Sequence, residues 1–372
     1  MDKFRNKKVI NWLKSVASNQ YKDDIDIMWI YGSHANGTEN IFSDIDCYYI
    51  PRDIESLHEK KTFMIEGVGY SIEPQTWTDV ANLANLRQMF LPCIGVTEII
   101  YSRTDKEEEK FKSMVNQMNS NLQDNELCYE KICQKYAEAN EFYGRMLGLD
   151  DLTRVRFLAG QVIMLSAYCV ALSNNTFFHR GLKKQYEDLK VMKKKPENFT
   201  ELYDEIIKAD SIEEIKKLCR QMLSVTREFY NIDIPVNVQP IPDTRDIKGN
   251  APDYNEMASE YEEYSSIFNK IYYNSVDKNY IVTFLSAVYL QRLLDETCLK
   301  NSLPTYSILD KFQYDDLTTI KNFARRVQLD LHSKILAGNG KINEFTTFEE
   351  FLANEKNKEN DNELNLYDEG ER

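Results

Sequence analysis

The stretch Trp29 to Ile50, WIYGSHANGTENIFSDIDCYYI, constrains the chain most. An apolar run from Ile25 to Tyr31 stops at Gly32-Ser33, a polar turn follows, and a second strand, Asp44 to Ile50, opens with Asp44-Ile45-Asp46 and stops at Pro51. Side chains on a strand alternate faces, so Asp44 and Asp46 point one way while Ile45 and Cys47 point the other way, into a core. Two adjacent carboxylates repel unless a cation lies between them. Oxygen-only ligands of this kind suit Mg²⁺ or Mn²⁺ held jointly with substrate phosphates. Gly32 lets backbone approach a phosphate closely, and Ser33 adds a hydroxyl. If the residues after Ser33 open a helix, its free N–H groups face the same anion. Gly-Ser and Asp-x-Asp are each commonplace alone; their combination between two strands is not.

The surrounding pattern is that of a small α/β unit over residues 1–120. Phe4, Val9, Ile10, Leu13 and Val16 recur at helical spacing ahead of the first strand. Lys61 to Trp77, with Gly67 and Gly69 near its middle, reads as a hairpin, Thr78 to Phe90 as a helix and Val96 to Tyr101 as a last strand. A small mixed sheet with helices packed on it is the expected result.

The motif resembles the DNA polymerase β-like nucleotidyltransferases, whose signature is a Gly-Ser pair followed at short range by Asp-x-Asp. Gly32-Ser33, Ala35, Gly37-Thr38 and Ser43-Asp44-Ile45-Asp46 look like the pattern of the small bacterial branch, which includes minimal and antibiotic-modifying nucleotidyltransferases. His34 stands where an Arg often follows Gly-Ser in that branch. The resemblance covers residues 25–75 well and 76–115 loosely. It implies a third carboxylate on a neighbouring strand, and Glu73 in GYSIEPQTW is the residue chosen for it, ahead of Glu66 in FMIEGVG. Pro74 places Glu73 at a strand end or sheet edge. The resemblance further implies a two-metal reaction. One ion, on Asp44, Asp46 and Glu73, activates an acceptor hydroxyl; the other, on Asp44 and Asp46, binds the triphosphate.

Residues 121–230 read as a helical bundle, expected to bind substrate. ELCYEKICQKYAEANEFYGRMLG is one helix, RVRFLAGQVIMLSAYCVALSN a strongly apolar second, and SIEEIKKLCRQMLSVTREFY a later one with Ser211 and Glu214 as a capping box. Between them, FFHRGLKKQYEDLKVMKKKP carries Lys183 and Lys184, candidates for the β- and γ-phosphates; the plain alternative is a solvated basic face. Glu126, Glu130, Glu138 and Glu141 are weighed as general bases, with ordinary surface residues as the alternative. Residues 231–255 hold four of the nine prolines and read as a linker or extended arm. Residues 256–353 form a C-terminal helical domain with a Tyr-rich start, and 354–372 an acidic, disordered tail. The fold class is thus an α/β N-terminal nucleotidyltransferase domain followed by all-α helical domains, with the NTP in the cleft between the first two.

The expected function is transfer of an NMP, AMP first among them, from an NTP to a hydroxyl of a small-molecule acceptor such as an aminoglycoside-like antibiotic. Pyrophosphate is released, with two Mg²⁺ (or Mn²⁺) ions as cofactors. With Lys and Arg totalling 46 against 60 Asp and Glu, the net charge of −14 argues against nucleic acid and for a polycationic acceptor. The seven cysteines form no Cys-x-x-Cys pair and the four histidines no His-x-x-x-His pair, which argues against zinc and disulfides and points to a reducing cytoplasm. No run reaches the ~20 apolar residues of a membrane helix. Exposed-looking aromatics leave room for a homodimer. Three alternatives stand beside this reading: AMP transfer to a partner toxin, nucleotide second-messenger synthesis, and a non-catalytic NTP-binding protein.

Overall fold

The sheet is assembled from both ends of the chain. The computed structural model describes residues 2, 4–53, 60–243 and 249–369. Helix α1 (Arg5–Asn19) buries Val9, Ile10 and Leu13 of the expected stripe together with Ala17, while Phe4 is exposed and Val16 half-buried. Strand β1 (Ile25–Tyr31) is buried along almost its whole length, which is why it reads as a continuous apolar run. Strands β2 (Asp46–Pro51), β3 (Lys61–Ile65), β4 (Val68–Pro74) and β5 (Glu98–Ser102) follow. Glu66 and Gly67 join β3 to β4 with positive φ angles of 53° and 73°, the two-residue turn whose twist suits a hairpin. Helix α2 (Trp77–Ala84) starts from a reciprocal Thr76–Asp79 capping box and ends well before Phe90. The short α3 (Pro92–Gly95) precedes β5.

The strand order is β5-β1-β2-β4-β3-β6. Its last member, β6 (Glu344–Phe345), comes from near the C-terminus and pairs parallel with β3. The β2–β4 pair is parallel and the remaining pairs antiparallel. On one face, α1 and α13 (Phe348–Glu369) share a core with Met28, Ile30, Cys47, Tyr49, Phe63 and Tyr70. The other face meets the helices.

Helices α4 (Asp105–Gln123), α5 (Asn125–Leu147), α6 (Leu152–Ser173), α7 (Gln185–Val191), α8 (Phe199–Lys208) and α9 (Ile212–Tyr230) form the central bundle. Among the described residues, α6 alone is long and apolar enough to pass for a membrane span, unlike the expectation above. Yet 83% of its apolar window is buried inside the protein, where it serves as the core helix. The Pro-rich segment is an arm laid along α5. The Asn140 side chain donates to the Pro235 carbonyl (2.8 Å) and accepts from the Asn237 N–H (2.8 Å), and the Ile241 N–H donates to the Gly144 carbonyl (2.9 Å). Residues 244–248 lie outside the described residues.

Helices α10 (Tyr254–Val276), α11 (Tyr280–Lys300) and α12 (Leu317–Ala337) follow. Helix α10 lies directly on β3 and β4, and Gly69 permits it: a Cβ there would sit 1.8 Å from the Glu262 carbonyl oxygen. The Thr62 hydroxyl donates to the buried Glu262 carboxylate (2.6 Å), and the Asn269 amide donates to the Gly67 carbonyl (2.8 Å). The segment expected to be a disordered tail is corrected by α13, which runs through it as far as Glu369. Composition was misleading because the anchor precedes the polar run. Phe351 stacks on Phe63 with centroids 4.4 Å apart, Trp12 meets its edge at 4.7 Å, and Lys61 pairs with Glu355.

Candidate active site

Strand β1 delivers the chain to Gly32, whose φ is +83°. The register pairs Tyr31 with Asp46, so Gly32 lies beside the first residue of β2. A Cβ on Gly32 would fall 2.3 Å from an Asp46 carboxylate oxygen; the missing side chain is the space that carboxylate occupies. No helix opens after Ser33. Residues 34–37 form a turn, closed by the Asn36 N–H to the Gly32 carbonyl (3.1 Å) and the Thr38 N–H to the Ser33 carbonyl (2.9 Å). His34 bonds Glu39 at 2.7 Å. The Ser33 hydroxyl is buried and has no hydrogen-bond partner. Such groups are rare, and a missing ligand is one of the standard explanations.

The strand expected from Asp44 opens two residues later, at Asp46; Asp44 is buried and Asp46 partly so, while Ile45 and Cys47 are 1% exposed in the core of the opposite face. Burial pushes the Asp46 carboxyl up to about 8; the Asp44, Glu73 and Glu263 carboxylates add to this, and Lys270 opposes it. Two acids share a desolvated corner short of positive charge. Asp44 forms an ion pair with Lys270 of α10, Nζ to Oδ2 3.7 Å.

The expected three-acid set is not assembled. The parallel register sets Ser71 opposite Asp46 and Glu73 opposite Tyr48, so Glu73 shares the face but sits two residues further along. Its carboxylate bonds Lys60 at 3.1 Å, and Lys60 also pairs with Glu263 of α10. Among the described residues no group of three His, Cys, Asp or Glu is arranged to hold a metal. Glu66, the rival, sits in the hairpin turn and binds Arg5 (3.3 Å) and the Asp2 N–H (2.8 Å).

The two candidate lysines part company. Lys183 lines a small pocket with Asn40, Phe42, Ser43, Lys270, Tyr273 and Asn274. Burial and Lys270 lower its pKa, while Asp44 and Asp46 pull it up. Lys184 instead bonds Glu187 one helical turn on, at 2.7 Å. Of the acids considered on α5, Glu130, Glu138 and Glu141 pair with Lys131, Lys135 and Arg145 of their own helix. Of the Tyr-rich segment, Tyr273 lines the pocket; Tyr264 bonds Thr297, Tyr272 bonds Gln328 and Tyr280 bonds Asp204.

Sequence reasoning missed Lys60, Glu263 and Lys270.

Residues 108–233, the central bundle, match the model of the KNTase C-terminal domain. A comparison with curated proteins gives no match. Among solved structures, a nucleotidyltransferase-like protein from Exiguobacterium sibiricum 255-15 is similar at 12% identity and a TM-score of 0.35, over 59% of this chain and 74% of that one. That bundle follows a sheet that carries Gly32-Ser33 and Asp44-x-Asp46, so the family match over the helices and the motif on the strands both support the DNA polymerase β-like nucleotidyltransferase superfamily.

Proposed function

We propose that the protein transfers a nucleoside monophosphate from an NTP to a hydroxyl of a small-molecule acceptor, with a divalent cation at Asp44 and Asp46. In that reaction the acceptor oxygen forms a bond to the α-phosphorus, the bond from that phosphorus to the bridging oxygen of the β-phosphate breaks, and the acceptor proton is lost to base. The observation that carries the reading is the pairing of two converging carboxylates with a buried, unpartnered Ser33 hydroxyl across Gly32. Carboxylates beside a free hydroxyl suit a metal-bound triphosphate, which brings a cation to the acids and an anion to the hydroxyl.

The residues fit a metal that arrives with its nucleotide. Mg²⁺ usually takes one or two protein carboxylates and completes its shell with phosphates and water, and Asp44 with Asp46 supply that number. When bound, the ion would neutralise charge developing on the phosphates. Gly32 and Ser33 would seat the triphosphate, and Lys183 would meet its outer phosphates. The acceptor class is argued from charge and kinship. The family model that matches the bundle takes its name from kanamycin nucleotidyltransferase, and a net charge of −14 favours a polycation over nucleic acid.

A second reading, NTP binding without transfer, is favoured by the tie between Glu73 and Lys60. Pyrophosphate release from each of the four NTPs with Mg²⁺, alone and with a panel of aminoglycosides, separates the two. Release that needs an acceptor and disappears in Asp46→Ala supports transfer to that class. Bound nucleotide without release supports the second reading, and release without acceptor points to self-modification or nucleotide joining.

A further inference from the structure

Helix α10 lies beyond the segment that matches the family model, yet it brings an ammonium group to within 3.7 Å of Asp44. We propose that Lys270 takes the place of one of two divalent cations, so that the site holds a single metal ion per nucleotide; this rests on the nucleotidyl-transfer reading.

Three observations converge on it. The first is position: Lys270 lies against the carboxylate that both ions would have to share. An ammonium there competes with a second cation for the same oxygen and repels it.

The second is rigidity. Neighbouring Asn269 is bonded to the Gly67 carbonyl at 2.8 Å, and Glu262 holds the Thr62 hydroxyl at 2.6 Å. The α10 backbone is in contact range of Gly69, with no room for even a methyl group between them. Lys270 is therefore presented by a helix clamped to the sheet that carries the acids.

The third is ligand count. A second ion needs protein oxygen beyond Asp44 and Asp46. The position opposite Asp46 is Ser71, and the nearest acid along that strand, Glu73, is neutralised by Lys60. Glu263 is engaged by the same lysine. The acids that would serve a second ion are already paired with lysine, and Lys270 stands where that ion's charge is required.

The test counts metal. Wild type, Lys270→Ala and Lys270→Arg are dialysed against Mn²⁺ with a non-hydrolysable α,β-methylene nucleoside triphosphate, and Mn²⁺ per protein-bound nucleotide is measured by electron paramagnetic resonance. Expected are one ion in wild type and in Lys270→Arg, and a rise toward two at millimolar Mn²⁺ in Lys270→Ala, where the Asp44 oxygen is released. Two ions in wild type would overturn the proposal, as would one ion in Lys270→Ala at every concentration. Wild type that retains no nucleotide at all would defeat the nucleotidyl-transfer reading itself, a result distinguishable from either count. The Lys270 side chain is 38% exposed, so its removal leaves the core intact.

Discussion

Asp46→Asn should stabilise the nucleotide-free protein while abolishing transfer. Asp46 is ionisable, but burial and Asp44 push its carboxyl up to about 8, so the fold opposes its charged form. For an acid whose folded pKa is raised, the cost is absent below the unfolded value of 3.8 and complete once pH exceeds the folded one. At about 1.4 kcal/mol per pH unit, the full span sets a ceiling of about 5–6 kcal/mol. Asp46 retains some solvent contact and Lys270 can shift toward it, so about 1–3 kcal/mol is the realistic gain at pH 8. Scaling the usual unfolding entropy to this chain length, that is a rise of about 1–4 °C in melting temperature. The assay is thermal or urea unfolding in EDTA from pH 5 to 8.5. The gap between Asn and wild type should be smallest at pH 5 and widen through pH 8. A variant less stable than wild type at pH 8, or a gap that does not change with pH, would refute the electrostatic account of the corner.

Four further substitutions probe the phosphate side. Gly32→Ala places a methyl group in the space of the Asp46 carboxylate at a φ that disfavours Ala; single-turnover transfer should fall by about 100-fold or more, the usual consequence of misplacing a reacting group by about 1 Å. Ser33→Ala removes a hydroxyl with no protein partner, so unfolding free energy should change by less than about 0.5 kcal/mol, while nucleotide affinity measured by calorimetry drops about 10-fold. Lys183→Ala should raise the NTP dissociation constant about 10-fold, and Lys184→Ala less than about 2-fold, since a charge-assisted contact is at stake only in the first.

What could be read from the sequence was local. The opposite sidedness of Asp46 and Cys47 is local and follows from strand geometry alone, whereas Asp44 and Ile45 lie just ahead of the strand. The hairpin around Glu66-Gly67 is equally local. The third acid failed because it depends on a register between strands that are not neighbours in sequence. Sliding β4 by two residues would bring Glu73 opposite Asp46 on the same face, and no short-range pattern specifies which pairing forms. Lys183 and Lys184 are adjacent and chemically alike; the 3-10 turn at Leu182–Lys184 sends one to the pocket and the other to Glu187. Lys270 was illegible for a stronger reason, since its role exists only once α10 has docked on a sheet formed far earlier in the chain. The last helix shows the opposite error: averaging over a polar tail hid the effect of two phenylalanines, Phe348 and Phe351, at its start.

The docking of α10 can itself be tested at one residue. Gly69 lies on β4, and its only special property is that it lacks a side chain where the Glu262 carbonyl approaches. A Cβ there would lie 1.8 Å from that oxygen and 2.4 Å from the Ser265 hydroxyl. Neither strand nor helix can yield cheaply. β4 is paired on both sides, with β2 and β3, and α10 is bound through Glu262 to Thr62 and to Asn343 beside β6. Gly69→Ala should therefore cost about 3 kcal/mol or more, the upper end for overpacking, because the clash is with backbone rather than with a side chain that can rotate away. If α10 yields first, Lys270 leaves Asp44, and the variant should take up Mn²⁺ as Lys270→Ala does, although Lys270 is still present. Stability equal to wild type in urea unfolding would show that the helix does not seat on the sheet as described. A destabilised variant that keeps one Mn²⁺ per nucleotide would show that Lys270 reaches Asp44 without that seating.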